Sequence, residues 1–156
     1  MTSSTKIIYV DMDHVLCDYD EGFEAHQAKY PDLEFPQSEP GMYVNLEPLP
    51  GAIDAYQWLD SLPAVEVYIL TSPSVRNPHC YAEKRIWVER YLGLGVAENL
   101  IISPHKHLNK GDFLIDDNAF GKGQERFEGE LILFGSKDFP DWSSVLKYLD
   151  GKISEG

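Results

Sequence analysis

Two acidic side chains, Asp11 and Asp13, stand one residue apart directly after the apolar run 7–10. An apolar run rich in β-branched residues is typical of a strand that is buried on both faces of a parallel sheet. Such strands seldom end in two acids, because neighbouring carboxylates repel each other unless a cation joins them. Open α/β sheets bind ligands at the carboxyl ends of their strands, so this acid pair indicates an active site.

Three further predicted strands also end in polar side chains. These are Thr71 and Ser72 after strand 65–70, Lys106 beyond strand 100–102, and Asp116 and Asp117 after strand 113–115. Because the carboxyl ends of parallel strands meet at one edge of a sheet, we expect all of these groups to converge. Clustered carboxylates without His or Cys in a ligand pattern favour a hard cation, so Mg²⁺ is the predicted cofactor.

This set of groups is suited to phosphoryl transfer. A carboxylate beside Mg²⁺ can attack phosphorus and form an aspartyl-phosphate. The ion, a lysine and hydroxyl donors would meanwhile hold the equatorial phosphoryl oxygens. The sequence therefore predicts a small phosphorylated substrate.

The remaining sequence supplies helices that alternate with these strands. Helices are predicted at 21–30, 52–61, 79–92 and 141–149, the last capped by Asp141, and a fifth strand is predicted at 131–134. This alternation implies right-handed crossovers and a parallel sheet with helices on both faces. The predicted fold is a Rossmann-like three-layer α/β sandwich.

Helix 79–92 is predicted from its apolar spacing. Ala82, Ile86, Val88 or Glu89, and Leu92 recur every three or four residues, while Lys84 falls on a charged face. The earlier segment 31–40 is rich in Pro, Glu and Ser and lacks periodicity, which predicts a loop or a small lid above the sheet edge. We expect one domain, 1–156, with a small cap insert at about 19–46.

Composition limits the class of protein and of partner. A chain of 156 residues with 43% apolar residues can build one proper core. The net charge of −13 disfavours nucleic acid polymers and anionic membranes as partners. No apolar stretch is long enough for a membrane span, and the N-terminus lacks a signal-peptide pattern, so we expect a cytoplasmic protein. Cys17 and Cys80 are interpreted as ordinary thiols.

Taken together and in this order, the acid pair, Thr71-Ser72, a downstream lysine and the Asp116-Asp117 pair resemble the four motifs of the haloacid dehalogenase (HAD) superfamily. Closer matches resemble the 5'(3')-deoxyribonucleotidases and extend over nearly the whole chain. They lie at residues 11–19, 46–52, 70–73, 83–89 and 114–117.

The resemblance implies a role for each matching residue. Asp11 would be the nucleophile and a Mg²⁺ ligand, and Asp13 the general acid and base, with its main-chain carbonyl also on the ion. Thr71 and Ser72 would bind the phosphate, and Lys106 would stabilise the charge on the phosphoryl group. Asp117 would ligate Mg²⁺ directly and Asp116 through water. Tyr19, and Met42 or Tyr43, would contact the nucleoside. A deoxyribonucleoside monophosphate is the implied substrate.

Several alternatives stay open from the sequence. His14 stands where the family usually has glycine, and the segment before Glu47 is short, which implies a reduced cap. The chain could be a HAD phosphatase for another small metabolite, or a catalytically silent binding module that kept the fold. Lys110 could act in place of Lys106, and Lys84 could also approach the phosphate or pair with a nearby acid. The oligomeric state is open, a homodimer included. The spacing of His79, His105 and His107 fits no common zinc site.

Overall fold

The computed structural model describes residues 4–155, which form five strands and five α-helices. In chain order these are β1 (Lys6–Val10), α1 (Tyr19–Lys29), α2 (Ala52–Ser61), β2 (Val65–Thr71), α3 (His79–Leu92), α4 (Leu94–Glu98), β3 (Ile101–Ile102), β4 (Phe113–Asp116), β5 (Glu130–Leu133) and α5 (Trp142–Glu155). Short 3₁₀ turns lie at Pro36–Ser38, Tyr43–Asn45, Lys106–Leu108 and Gln124–Arg126. None of the helices within residues 4–155 is long and apolar enough to cross a membrane.

All five strands run parallel in the order β3-β2-β1-β4-β5, so β1 is the central strand. Val10 at the end of β1 pairs with Ile69 on one side and Ile115 on the other. This register brings the carboxyl ends of the three central strands to the same level. The predicted Rossmann-like α/β fold is therefore confirmed.

The two faces of the sheet are covered unequally. The larger core lies on one face, where residues such as Ile8, Val67 and Ile115 pack against the helices. The smaller core on the other face contains Tyr9, Leu70, Leu114 and Phe127. The connections that follow β3 and β4 contain only 3₁₀ turns, so the second layer is thinner than the alternating pattern predicts.

Helix α3 buries only part of the apolar series that its sequence spacing indicates. Its buried residues are Cys80, Glu83, Lys84, Trp87 and Val88, whereas Ala82 and Ile86 are exposed. Cys80, Trp87 and Val88 belong to the larger core, and the charged Glu83 and Lys84 are buried beside them because each has a partner in the fold.

The segment between α1 and α2 is bound to α3 along much of its length. Asn77 Nδ2, just before α3, donates to the carbonyl of Gln37 over 3.0 Å, and Arg90 Nη1 donates to that of Val44 over 2.9 Å. The Glu83 carboxylate accepts the N–H of Gly41, and Trp87 Nε1 donates to the Leu46 carbonyl over 2.7 Å. The segment that could have been a lid is therefore held to the core by side-chain hydrogen bonds.

The element boundaries differ from prediction mainly at the ends of helices. Helix α1 begins two residues early, at Tyr19, because Asp18 accepts the N–H of Glu21 and caps it. Helix α5 continues past the predicted end at 149, and Ile153 packs against the core. Helix α4, which follows Gly93 and contains Gly95, was not predicted, because glycine disfavours a helix.

Replacing Trp87 by Phe tests the attachment of the segment to α3. The indole is fully buried, and its loss leaves the Leu46 carbonyl without its donor. We expect the free energy of unfolding to fall by about 1–3 kcal/mol, as for other unsatisfied buried groups. Urea denaturation measures it, and Trp58→Phe, at a half-buried position on α2, is the matched control. Equal effects of the two substitutions would contradict a specific role for the indole N–H.

Candidate active site

The central strand β1 places Asp11 at the middle of the carboxyl edge of the sheet. Asp11 follows β1 directly, and its N–H continues the ladder by donating to the carbonyl of Ile115 over 3.0 Å. The chain then turns tightly, because the carbonyl of Met12 accepts the N–H groups of Val15, Leu16 and Cys17. Asp11 is thus fixed by strand pairing on one side and by a compact loop on the other.

Lys106 bridges the acids of two neighbouring strands. Its ammonium lies 3.0 Å from Asp11 Oδ1 and also forms an ion pair with Asp116 Oδ2 at the end of β4. Burial alone would lower the pKa of Lys106, but the carboxylates of Asp11 and Asp116 raise it above its ordinary value. The lysine is therefore charged although its side chain is only 2% exposed. Lys110, by contrast, is exposed and pairs with Glu128.

Asp116 has hydrogen-bond donors on both oxygens. Its Oδ1 accepts the N–H of Asn118 over 2.9 Å, and its Oδ2 accepts Lys106 Nζ and, over 3.3 Å, Gln124 Nε2. The side chain of Gln124 is itself buried, and its Oε1 accepts the N–H of Lys122 over 2.7 Å. Asp116 therefore holds the lysine and the following loop with three of its roughly four lone-pair sites.

Asp117 has a free oxygen beside the nucleophile candidate. Ligand atoms of Asp11, Asp116 and Asp117 lie within 4.8 Å of one another, the one cluster of potential metal ligands among residues 4–155. Asp117 Oδ1 is buried without a hydrogen-bond partner in this part of the chain. Burial raises the pKa of Asp11 well above its ordinary value, although Lys106 opposes it, and burial likewise raises that of Asp117.

These groups fit a divalent cation. The three carboxyl groups share the single ammonium of Lys106, which pairs with Asp11 and Asp116, and a buried oxygen of Asp117 has no partner among residues 4–155. Further positive charge would therefore stabilise the cluster. An all-oxygen donor set is what Mg²⁺ prefers. The histidines at 79, 105 and 107 form no such cluster within the described residues.

Asp13 lies apart from this cluster and is held by a second buried lysine. Lys84 Nζ is 3.0 Å from Asp13 Oδ2 and donates to Thr71 Oγ1 over 2.8 Å. Burial opposes the charge of Lys84, yet the Asp13 carboxylate raises the pKa of the lysine above its ordinary value. Lys84, which the spacing of α3 placed on a charged outer face, is thus part of the site. Thr71 is 1% exposed and supports this lysine from the end of β2.

The side chains around these acids enclose a cavity of about 310 Å³. Ser72 lines it, and its hydroxyl is buried without a partner among residues 4–155, so it is available to a ligand. Tyr19 and Tyr43 form part of the wall, with ring centroids 6.2 Å apart. Lys84 Nζ lies 5.1 Å from the centroid of the Tyr43 ring, so the aromatic wall of the cavity lies next to its charged groups.

The sequence analysis missed several residues that line or support the cavity. Ser74, Asn118, Lys122 and Gln124 line it directly. The sequence feature that could have drawn attention to Gln124 is the glycine before it. In the structure Gly123 has φ 87°, and an added Cβ would lie 2.2 Å from His107 Nδ1. A glycine required by both conformation and close packing marks a loop whose next residue is placed with precision.

Comparison with known proteins places these residues in a family. The family described as 5' nucleotidase, deoxy (pyrimidine), cytosolic type C matches residues 33–141. The chain is 40% identical over 151 residues to a protein of Vibrio phage KVP40 that carries a provisional 5'(3')-deoxyribonucleotidase name, covering 92% of this chain and 84% of that one. It is 35% identical over 164 residues to the human 5'(3')-deoxyribonucleotidase of cytosolic type, covering 86% and 81%.

A solved structure supports the fold independently. A HAD family hydrolase from Deinococcus radiodurans, crystallised with phosphate and sodium, superposes with a TM-score of 0.55 at 12% identity, covering 95% of this chain and 89% of that one. The sequence relatives, the family match and the parallel sheet with acids at its carboxyl edge agree. The chain belongs to the 5'(3')-deoxyribonucleotidase family.

Proposed function

We propose that the protein is a Mg²⁺-dependent phosphomonoesterase that hydrolyses deoxyribonucleoside monophosphates through an aspartyl-phosphate on Asp11. The observation that carries this proposal is the convergence of Asp11, Asp116 and Asp117 around a buried lysine at the end of the central strand. A buried carboxylate with a fixed cation on one oxygen keeps its other oxygen for attack on phosphorus.

The metal site is assigned from which oxygens are free. Asp11 and Asp117 would hold Mg²⁺ directly, together with the main-chain carbonyl of Asp13, while Asp116, whose two oxygens already accept three protein donors, would act through water. Bound Mg²⁺ would supply charge neutralisation and Lewis acidity for the phosphoryl oxygens. Lys106 adds a second fixed positive charge on the same side.

The protein's own groups account for the bonds made and broken. The Asp11 carboxylate attacks phosphorus as the bond from phosphorus to the leaving oxygen breaks, and Asp13 donates a proton to that oxygen. Asp13 then takes a proton from water, which attacks the aspartyl-phosphate and releases inorganic phosphate. Lys84 holds Asp13 in position, and the hydroxyl of Ser72 donates to a phosphoryl oxygen.

The organic part of the substrate is assigned to the aromatic wall. Tyr19 and Tyr43 offer ring faces to a nucleobase, and stacking of this kind tolerates different bases. Tyr43 belongs to the segment that α3 holds in place, which is the cap insert of about 19–46 in this proposal. The deoxynucleotide itself is proposed from the names of the relatives. The cytoplasmic location and the homodimer stay predictions, although one relative is named as the cytosolic type.

Substitution of Asp11 by Asn tests the nucleophile. An amide cannot form the aspartyl-phosphate, so we expect kcat to fall by at least about a thousandfold, as for other nucleophile deletions. Release of inorganic phosphate in the presence of Mg²⁺ measures it, and circular dichroism checks that the variant folds. Asp138→Asn, at an exposed position, is the control. Substantial activity in Asp11→Asn would assign the nucleophile to another residue.

The metal proposal predicts a pH-dependent stabilisation by Mg²⁺. The raised pKa values of Asp11 and Asp117 stabilise the metal-free fold at low pH, and this contribution is lost as the pH rises through the folded pKa values. Mg²⁺ binds only the ionised carboxylates, so its effect on Tm should be larger at about pH 8 than at about pH 5. Calorimetry with Mg²⁺ or with a chelator measures the difference. The effect should shrink in Asp117→Asn, and an equal Mg²⁺ effect at both pH values would contradict the assignment.

A substrate panel separates the nucleotide from other phosphomonoesters. We expect kcat/KM for the best deoxyribonucleoside monophosphate to exceed that for the matching ribonucleotide and for simple sugar phosphates by at least about tenfold. Phosphate release under identical conditions gives the comparison. Activity without such a preference would leave the phosphatase chemistry in place and favour another small metabolite as substrate.

A further inference from the structure

His14 has a backbone conformation that histidine rarely adopts. Its φ is 66°, the one positive φ at a non-glycine residue among residues 4–155. The left-handed region suits glycine and costs energy for a residue with a Cβ atom. Strained residues of this kind persist at sites where the side chain itself is used.

The imidazole of His14 contributes little to holding the fold. It makes no hydrogen bond with the part of the chain that the structure describes, and its Nδ1 lies 3.7 Å from Asp20 Oδ1, beyond hydrogen-bond distance. The side chain is 37% exposed and lines the active-site cavity. Its position therefore serves the cavity rather than the core.

The ring of His14 extends the aromatic wall of the cavity. Its centroid lies 4.9 Å from that of Tyr19 with the planes tilted by 43°, and Tyr19 in turn neighbours Tyr43. The three rings thus form a continuous series along the active-site cavity. Tilted ring pairs at this distance are attractive, so Tyr19 fixes the imidazole without a hydrogen bond.

His14 also lines a second cavity. This cavity of about 280 Å³ shares His14, Tyr19 and Asp117 with the active-site cavity and extends towards Leu49 and Phe134. The ring therefore adds contact surface next to the cluster of acids.

We propose that His14 is a specificity-determining residue whose ring contacts the nucleobase of the substrate. The inference rests on the proposed nucleotide activity and deepens it, since it assigns part of the base recognition to a residue outside the four motifs. Each ring face that a base contacts adds affinity, and removal of the imidazole withdraws one of the three rings.

The test compares two substrates that differ only in the base. Thymidine 5'-monophosphate and 2-deoxyribose 5-phosphate share the sugar and the phosphate, so the ratio of their kcat/KM values reports the contribution of the base. We expect this ratio to fall about fivefold or more in both His14→Gly and His14→Asn. Glycine relieves the backbone strain and asparagine tolerates the left-handed conformation, so agreement between them assigns the effect to the ring.

Two further variants sharpen the comparison. His14→Phe keeps an aromatic ring without ring nitrogens, and its ratio should stay within about twofold of the parent's if stacking is the contact. His79→Asn changes an exposed histidine at the start of α3 and should behave as the parent does. Thermal unfolding of each variant checks that it folds.

The outcomes distinguish this inference from the function on which it rests. A parent that prefers the nucleotide, with a reduced ratio in His14→Gly and His14→Asn, supports it. Equal losses on both substrates, an unchanged ratio, or a parent that shows no preference for the base overturns it and leaves the phosphatase proposal standing. A parent that hydrolyses neither substrate with Mg²⁺ overturns the proposed function, and this inference with it.

Discussion

The structure depends on how buried like charges are compensated at one edge of the sheet. Three carboxyl groups, those of Asp11, Asp116 and Asp117, are brought together where water is largely excluded. Such a group of acids would destabilise the fold without positive charge beside it. Lys106 supplies one charge from within the chain, and the unpartnered oxygen of Asp117 indicates where another is required. Stability and chemistry therefore depend on the same electrostatic balance.

Because of this constraint, the two buried lysines hold different acids of the site. Lys106 joins the ends of β1 and β4, so it fixes the acids that lie around the metal site. Lys84 comes from α3 and joins Asp13 to Thr71 at the end of β2. Each lysine connects elements that are distant in sequence, which means that the site is complete only when the sheet has assembled in its native register.

The sequence predicts the acids better than it predicts the groups that support them. Asp11 and Asp116 can be identified from the sequence because acids are unusual at the ends of buried apolar strands, where an α/β sheet binds its ligands. Lys84 was placed on a charged face because periodicity assumes that the packed side of a helix is apolar, whereas α3 buries Lys84 and Glu83 beside Trp87. Gln124 lies in a loop without periodicity, and only the backbone of the folded chain brings its amide to Asp116. The parallel sheet followed from alternation, whereas the strand order and the thin second layer depend on the connections, which alternation does not describe.

The hydrogen bonds between α3 and the segment before α2 have a consequence for the design of new specificities. One helix carries Lys84 on its buried side and also anchors the loop that presents Tyr43. This loop, transplanted alone into another enzyme, would lack the side chains at 77, 83, 87 and 90 that fix it, and its rings would lose their alignment with the ammonium. The helix and the loop form one exchangeable module, and substrate engineering on this scaffold should replace them together.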